Sequence, residues 1–201
     1  MMRRYMLCFL GLTLIGPIHG GTAGEQDKAP ATAQAVSGPH TEFLSEIAYY
    51  EQRYTRLAEA MPAEKYTWSP GEGVRSVGEV YIHIAMANYG VGRVLGGGAP
   101  GVDLKSFQSM ATDKAKTVQA LKDSFAYIKQ TVAGLSDADA DRPQKMFGQQ
   151  TTLRGSFILV TGHFGEHLGQ SIAYARVNGI VPPWTEEQQQ QRAKATGKPK
   201  Q

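Results

Sequence analysis

The chain carries five histidines, and two of them, His163 and His167, stand four residues apart in Gly162-His163-Phe164-Gly165-Glu166-His167-Leu168-Gly169-Gln170. Residues four apart on a helix share a face, so two imidazoles could converge there on one metal ion. Two ligands make a poor site. A third has to come from another part of the chain, and hydrophobic spacing shows which elements could bring it.

Phe43, Ile47, Tyr50, Tyr54, Leu57 and Met61 recur at alternating steps of four and three, the face of an amphipathic helix that Pro62 stops. Trp68-Ser69-Pro70-Gly71 marks a turn. Ser76-Val77-Gly78-Glu79 has the form of a capping box, with Ser76 accepting from the Glu79 amide and the Glu79 carboxylate reaching back. From it a second helix runs to about Leu95 along Val80, Ile84, Ala87, Val91 and Val94, until Gly96-Gly97-Gly98 ends it. His83 lies three residues after Val80 and four before Ala87, so it points with the buried stripe. Val118, Leu121, Phe125, Ile128, Val132 and Leu135 predict a third helix. Residues 136–150 are polar, broken by Pro143 and Gly148, and read as loop with a short turn. A fourth helix spans about Thr152 to Val177, with Gly179 as its cap and Pro182-Pro183 preventing continuation.

Four long amphipathic helices without a convincing strand pattern predict an all-α fold, a four-helix bundle over residues 40–184. The second-to-third and third-to-fourth connections each run about 15 residues, beyond the usual range of about 2 to 8, so a crossover is open. Residues 185–201 are Glu, Gln, Lys and Arg and read as a disordered tail or fraying helix.

The N-terminus suggests export. Met1-Met2-Arg3-Arg4-Tyr5 leads into an apolar run from Met6 to Ile18 and then small residues, the pattern of a secretory signal peptide over residues 1–23. Gly20 and Ala23 both suit its last position. The apolar run is short of the roughly 20 residues a membrane span needs, so no stable anchor is expected after cleavage. Residues 24–39 read as a flexible linker, and His40 at its end as an exposed linker histidine. The expected location is periplasmic or extracellular.

Composition narrows the function classes. The net charge is +3, and losing Arg3 and Arg4 with the leader leaves 19 basic against 18 acidic residues, a net +1. No basic cluster of the kind that binds nucleic acid is visible. The single cysteine, Cys8, lies within the leader, so the mature chain would offer no disulfide, thiol nucleophile or thiolate ligand. Any metal is then held by nitrogen and oxygen.

His83, His163 and His167 are the candidate ligands. Three neutral imidazoles make a workable zinc site with a position left open. Gly162, Gly165 and Gly169 surround the pair, and each lowers helix stability by about 1 kcal/mol relative to alanine. They read either as close helix packing or as room for a ligand. Glu166 is the candidate general base, with a solvated helix-face carboxylate as the plainer reading. Gln170, three residues after His167, could touch the pocket, whereas Tyr89 and Tyr174 read as core or rim aromatics. His163-Phe164-Gly165-Glu166-His167 also fits the H-x-x-E-H pattern of inverzincin peptidases. Such enzymes need a third ligand downstream, where Glu186 and Glu187 lie beyond the helix-ending prolines.

Several stretches together resemble the DinB (DNA-damage-inducible protein B) superfamily. They are Trp68-Ser69-Pro70, Arg75-Ser76-Val77-Gly78-Glu79, His83-Ile84-Ala85, the His163 to Gln170 segment, and Tyr174-Ala175-Arg176-Val177-Asn178-Gly179-Ile180-Val181-Pro182-Pro183. The resemblance covers about residues 40–184. It implies a four-helix bundle of unusual connectivity and a divalent metal, commonly zinc or nickel, on His83, His163 and His167. Some members resemble transferases or isomerases that use low-molecular-weight thiols, cosubstrates that would be scarce outside a cell. The expectation is therefore an exported metal-binding protein of hydrolase or transferase type acting on a small molecule. A non-catalytic metal- or ligand-binding bundle is the competing reading, and a homodimer is open.

Overall fold

The computed structural model describes residues 38–197. The expected leader, residues 1–23, and nearly all of the expected linker lie outside them. Within the described residues the chain is mostly helical. It runs through α1 (Pro39–Ala60), α2 (Val77–Val94), a single turn α3 (Phe107–Met110) and α4 (Lys114–Ala133). A hairpin of β1 (Pro143–Met146) and β2 (Gln149–Thr152) follows, then α5 (Leu153–Val177) and α6 (Pro183–Thr196).

Each of α4 and α5 packs against both α1 and α2. The order around the core is therefore α1, α4, α2, α5, and the chain crosses the core between α1 and α2 and again between α4 and α5. Apolar faces meet in the middle. Tyr54 and Leu57 of α1, Ile84 of α2, Leu121 and Phe125 of α4, and Phe164 of α5 are all essentially inaccessible. Burying one such side chain stabilises the fold by about 1.5–3 kcal/mol. Phe125 lies between Tyr54 and Phe164, with ring centroids 5.9 and 5.6 Å away. The Tyr54 hydroxyl donates to the Phe164 carbonyl at 2.7 Å, so this buried polar group is satisfied across the α1–α5 seam.

Local chemistry sets the ends of the helices that matter for the site. The Ser76 hydroxyl accepts from the Glu79 amide at 3.3 Å and the Glu79 carboxylate accepts from the Ser76 amide at 2.7 Å, the expected capping box. The preceding loop supplies further acceptors, Trp68 to the Val77 amide and Tyr66 to the Gly78 amide. Thr152 caps α5 by accepting from the Gly155 amide at 3.1 Å.

Two expectations are corrected and an open one is decided. Residues 143–152 form an antiparallel hairpin, paired Pro143 with Thr152 through Met146 with Gln149, rather than loop. Met146 alone among the strand residues is fully buried, so no apolar alternation announces the strands. Of the two readings for the segment from Thr185 onward, tail or helix, the structure shows helix, with α6 running as far as Thr196. Its Glu, Gln, Lys and Arg are good helix formers, and Pro183 suits the first helical position. α6 is also held to α1, because Arg56 pairs with Glu187 and the Arg53 guanidinium sits 4.4 Å from the Trp184 ring centroid. Finally, His40 lies in the first turn of α1 and not in a linker. Its amide donates to Asp137 at 2.9 Å and its Nδ1 lies 2.9 Å from the same carboxylate oxygen.

Candidate metal centre

α5 presents His163 and His167 one turn apart, and α2 presents His83 opposite them. The three offer ligand atoms that all lie within 4.8 Å of one another. His83 Nε2 and His163 Nε2 are 3.1 Å apart. The rings are close and mutually inclined, with centroids 5.2 Å apart for His83–His163, 4.6 Å for His83–His167 and 4.7 Å for His163–His167. The histidines selected by helical spacing are thus brought together.

Protonation favours ligation. Burial is the main cause that lowers His83 from 6.5 to about 4, helped by the charges of Arg75 and His167 and opposed by Glu166. Burial also lowers His163 from 6.5 to about 4, followed by His167, His83 and Arg75. Both rings are neutral at pH 7, the form that binds a metal ion.

The third ring is held in place. His167 Nδ1 lies 2.8 Å from Gln170 Oε1, and Gln170 Nε2 donates to the Tyr174 hydroxyl at 2.9 Å. With Gln170 oxygen facing it, Nδ1 carries the proton and the lone pair is left on Nε2. Tyr174 is supported by Trp68, whose ring meets it edge-on at 5.4 Å. Gln170 was legible from its spacing, while Tyr174, read as a core or rim aromatic, is buried and is also the next link behind it.

His163 differs. Its Nδ1 is buried and has no hydrogen-bond partner, a condition that costs about 1–3 kcal/mol. Phe147, at the tip of the hairpin, lies against the ring at a centroid distance of 5.3 Å. Phe147 and Gly148 form the two-residue turn with φ of 48° and 81°, the left-handed pair of a type I′ turn. Glycine adopts this readily, but a side-chain-bearing residue there is disfavoured by about 1–2 kcal/mol. Sequence reasoning passed over Phe147; an aromatic before a glycine in a polar segment was the only signal available.

The residues fit a divalent ion. Tetrahedral zinc–nitrogen bonds of about 2.0–2.1 Å put two ligating nitrogens about 3.3 Å apart, close to the observed 3.1 Å. Without an ion, two Nε2 atoms facing each other require one to carry a proton; with one, both lone pairs are used. Among the described residues no carboxylate joins the cluster. Glu166 is exposed, and its charge reaches His83 only as the opposing influence on that ring. Glu187 is paired with Arg56, which removes it as a downstream peptidase ligand. Of the three glycines, Gly165 alone packs closely, since a Cβ there would come 3.2 Å from the Tyr50 hydroxyl. Gly162 and Gly169 face open space.

A mostly helical chain that gathers three imidazoles from two packed helices defines a class of fold with a three-histidine candidate metal centre. The model of the DinB superfamily matches residues 47–171, more than half of the chain and including all three histidines, and the chain belongs to that superfamily. The resemblance read from the motifs is borne out. A DinB-like protein from Bacillus cereus ATCC 10987 superposes with a TM-score of 0.63 at 17% identity, over 71% of this chain and 95% of that one. A DinB-like protein from Bacillus subtilis gives a TM-score of 0.48 at 24% identity, over 70% and 93% of the respective chains. No curated protein matches. Among the described residues no helix is long and apolar enough to cross a membrane.

Proposed function

We propose that the four long helices act as a four-helix bundle scaffold for one divalent metal ion, zinc or nickel, held by His83, His163 and His167. The observation that carries this is the approach of three imidazoles from two helices, two of them with Nε2 atoms 3.1 Å apart. A bound ion supplies Lewis acidity toward a substrate oxygen. The chain's own part is to keep His83 and His163 unprotonated by burial and to set the tautomer of His167 through Gln170. On this reading the protein is a metal-dependent enzyme of hydrolase or transferase type acting on a small molecule. Glu166 is the carboxylate whose charge is felt at His83, and Glu166→Gln tests it as a base.

Metal analysis of the purified protein is the decisive measurement. About one equivalent of zinc or nickel is expected, falling below a few tenths in His83→Ala. An equal content in both proteins would overturn the site. A second reading, metal or ligand binding without catalysis, is favoured by the absence of a carboxylate from the histidine cluster among the described residues. The two separate by an activity screen in which the His83→Ala protein is the control. We also propose that the protein is exported, on the strength of its leader-like N-terminus; recovery of intact Met1 from fractionated cells would contradict this.

A further inference from the structure

Phe147 is the feature that the metal reading leaves unexplained. Side chains at the tip of a polar two-residue turn normally extend into solvent and are chosen for positive φ. Here the tip residue is a phenylalanine that remains 49% exposed while one part of its ring lies against His163. The hairpin that carries it is anchored at several points. Met146 beside it is buried, Gln144 donates to the Val94 carbonyl at 2.6 Å, and the Leu153 amide donates to Arg142 at 2.9 Å. The aromatic ring is therefore held at one side of the three-histidine cluster by a braced element, with the rest of its surface available.

The charge at the centre defines the other half of a ligand. Three neutral imidazoles leave the two positive charges of a divalent ion uncompensated, which favours an anionic group. Arg75, exposed just ahead of the α2 cap, adds positive charge felt at both His83 and His163. Resting on the metal reading above, we infer that Phe147 is the specificity-determining wall of this site. Its ligand is a small molecule with a flat apolar group next to an anionic, metal-binding head.

Hydroxamates test the inference because one head can carry different bodies. Zinc-loaded full-length protein is titrated with benzohydroxamate and with acetohydroxamate, and the ratio of their affinities is compared between wild type and variants. Taking the ratio between proteins cancels the intrinsic difference between the two heads. Phe147→Ala is expected to lower the ratio about tenfold, with zinc and acetohydroxamate affinities within about twofold of wild type. Phe147→Asn, which suits the turn, is expected to keep or raise the melting temperature while losing the same preference. An unchanged ratio in both variants would overturn the inference and leave the metal site standing. So would a parallel loss of zinc and both hydroxamates, since Phe147 would then only hold the site together. Failure of wild type to bind either zinc or nickel, or binding that survives His83→Ala, would instead bring down the metal reading and this inference with it.

Discussion

α5 makes two seams of contrasting character. Against α1 it packs Phe157 on Phe43 with ring centroids 4.5 Å apart, and Phe164 on Tyr50 at 5.3 Å. A buried polar group there, the Tyr54 hydroxyl, finds a backbone carbonyl. Against α2 the same helix presents imidazoles. That seam leaves a buried Nδ1 unpartnered and two Nε2 atoms facing each other. The first seam is complete with protein atoms alone, whereas the second gathers three imidazoles that could hold an ion. The two seams occupy neighbouring faces of one helix, with the His163 and Phe164 ring centroids 6.4 Å apart.

Perturbing the apolar seam should have the largest effect. Phe164→Ala is expected to destabilise the ion-free protein by about 3–5 kcal/mol, a fall in Tm on the order of 10 °C by thermal denaturation. His83→Ala, by contrast, should leave ion-free stability far less affected while removing zinc-induced stabilisation. Next comes the support of His167. Gln170→Ala is expected to weaken zinc binding about 10–100-fold in a chelator competition, and Gln170→Glu, which keeps the acceptor, should restore it. Tyr54→Phe removes a buried polar tie of the apolar seam and should cost about 0.5–1.5 kcal/mol in denaturant unfolding, with zinc affinity unchanged.

The pH dependence of the ion-free protein probes the imidazole seam by itself. His83 and His163 are lowered to about 4 in the fold, so the unfolded chain binds more protons between about 6.5 and 4. Stability is fully present above pH 6.5 and is lost as the pH falls toward 4. Equilibrium unfolding across that range should show this loss, and replacing both rings by alanine should flatten it. A steeper loss in the double variant would mean that other groups dominate the seam.

Helix periodicity carried much of this in the sequence. The faces of α1, α4 and α5 were legible because a buried stripe recurs every three or four residues, and the Ser76–Glu79 box marked the start of α2. The stripe of α2 was legible only in part, since Val94 is exposed while Ile82, Ala85 and Tyr89, outside the expected stripe, are buried. The three histidines followed from the same spacing. The hairpin was not legible, because residues 143–152 place only Met146 wholly in the core and carry no alternating pattern. α6 was legible only as one of two readings because it has no buried face and is held by Trp184 and Glu187 against arginines of α1. Phe147 depends on where the hairpin lies, and no local spacing reports its contact with a histidine 16 positions later.

Trp68 touches both halves of the centre without containing any of its ligands. Its carbonyl accepts from the Val77 amide in the first turn of α2, the helix of His83. Its indole bears on Tyr174 of α5, behind the Gln170 that holds His167. One residue in an irregular loop therefore works as a spacer between the two ligand-bearing helices. On the proposed metal reading, a change in this loop would alter ion binding without altering a single ligand.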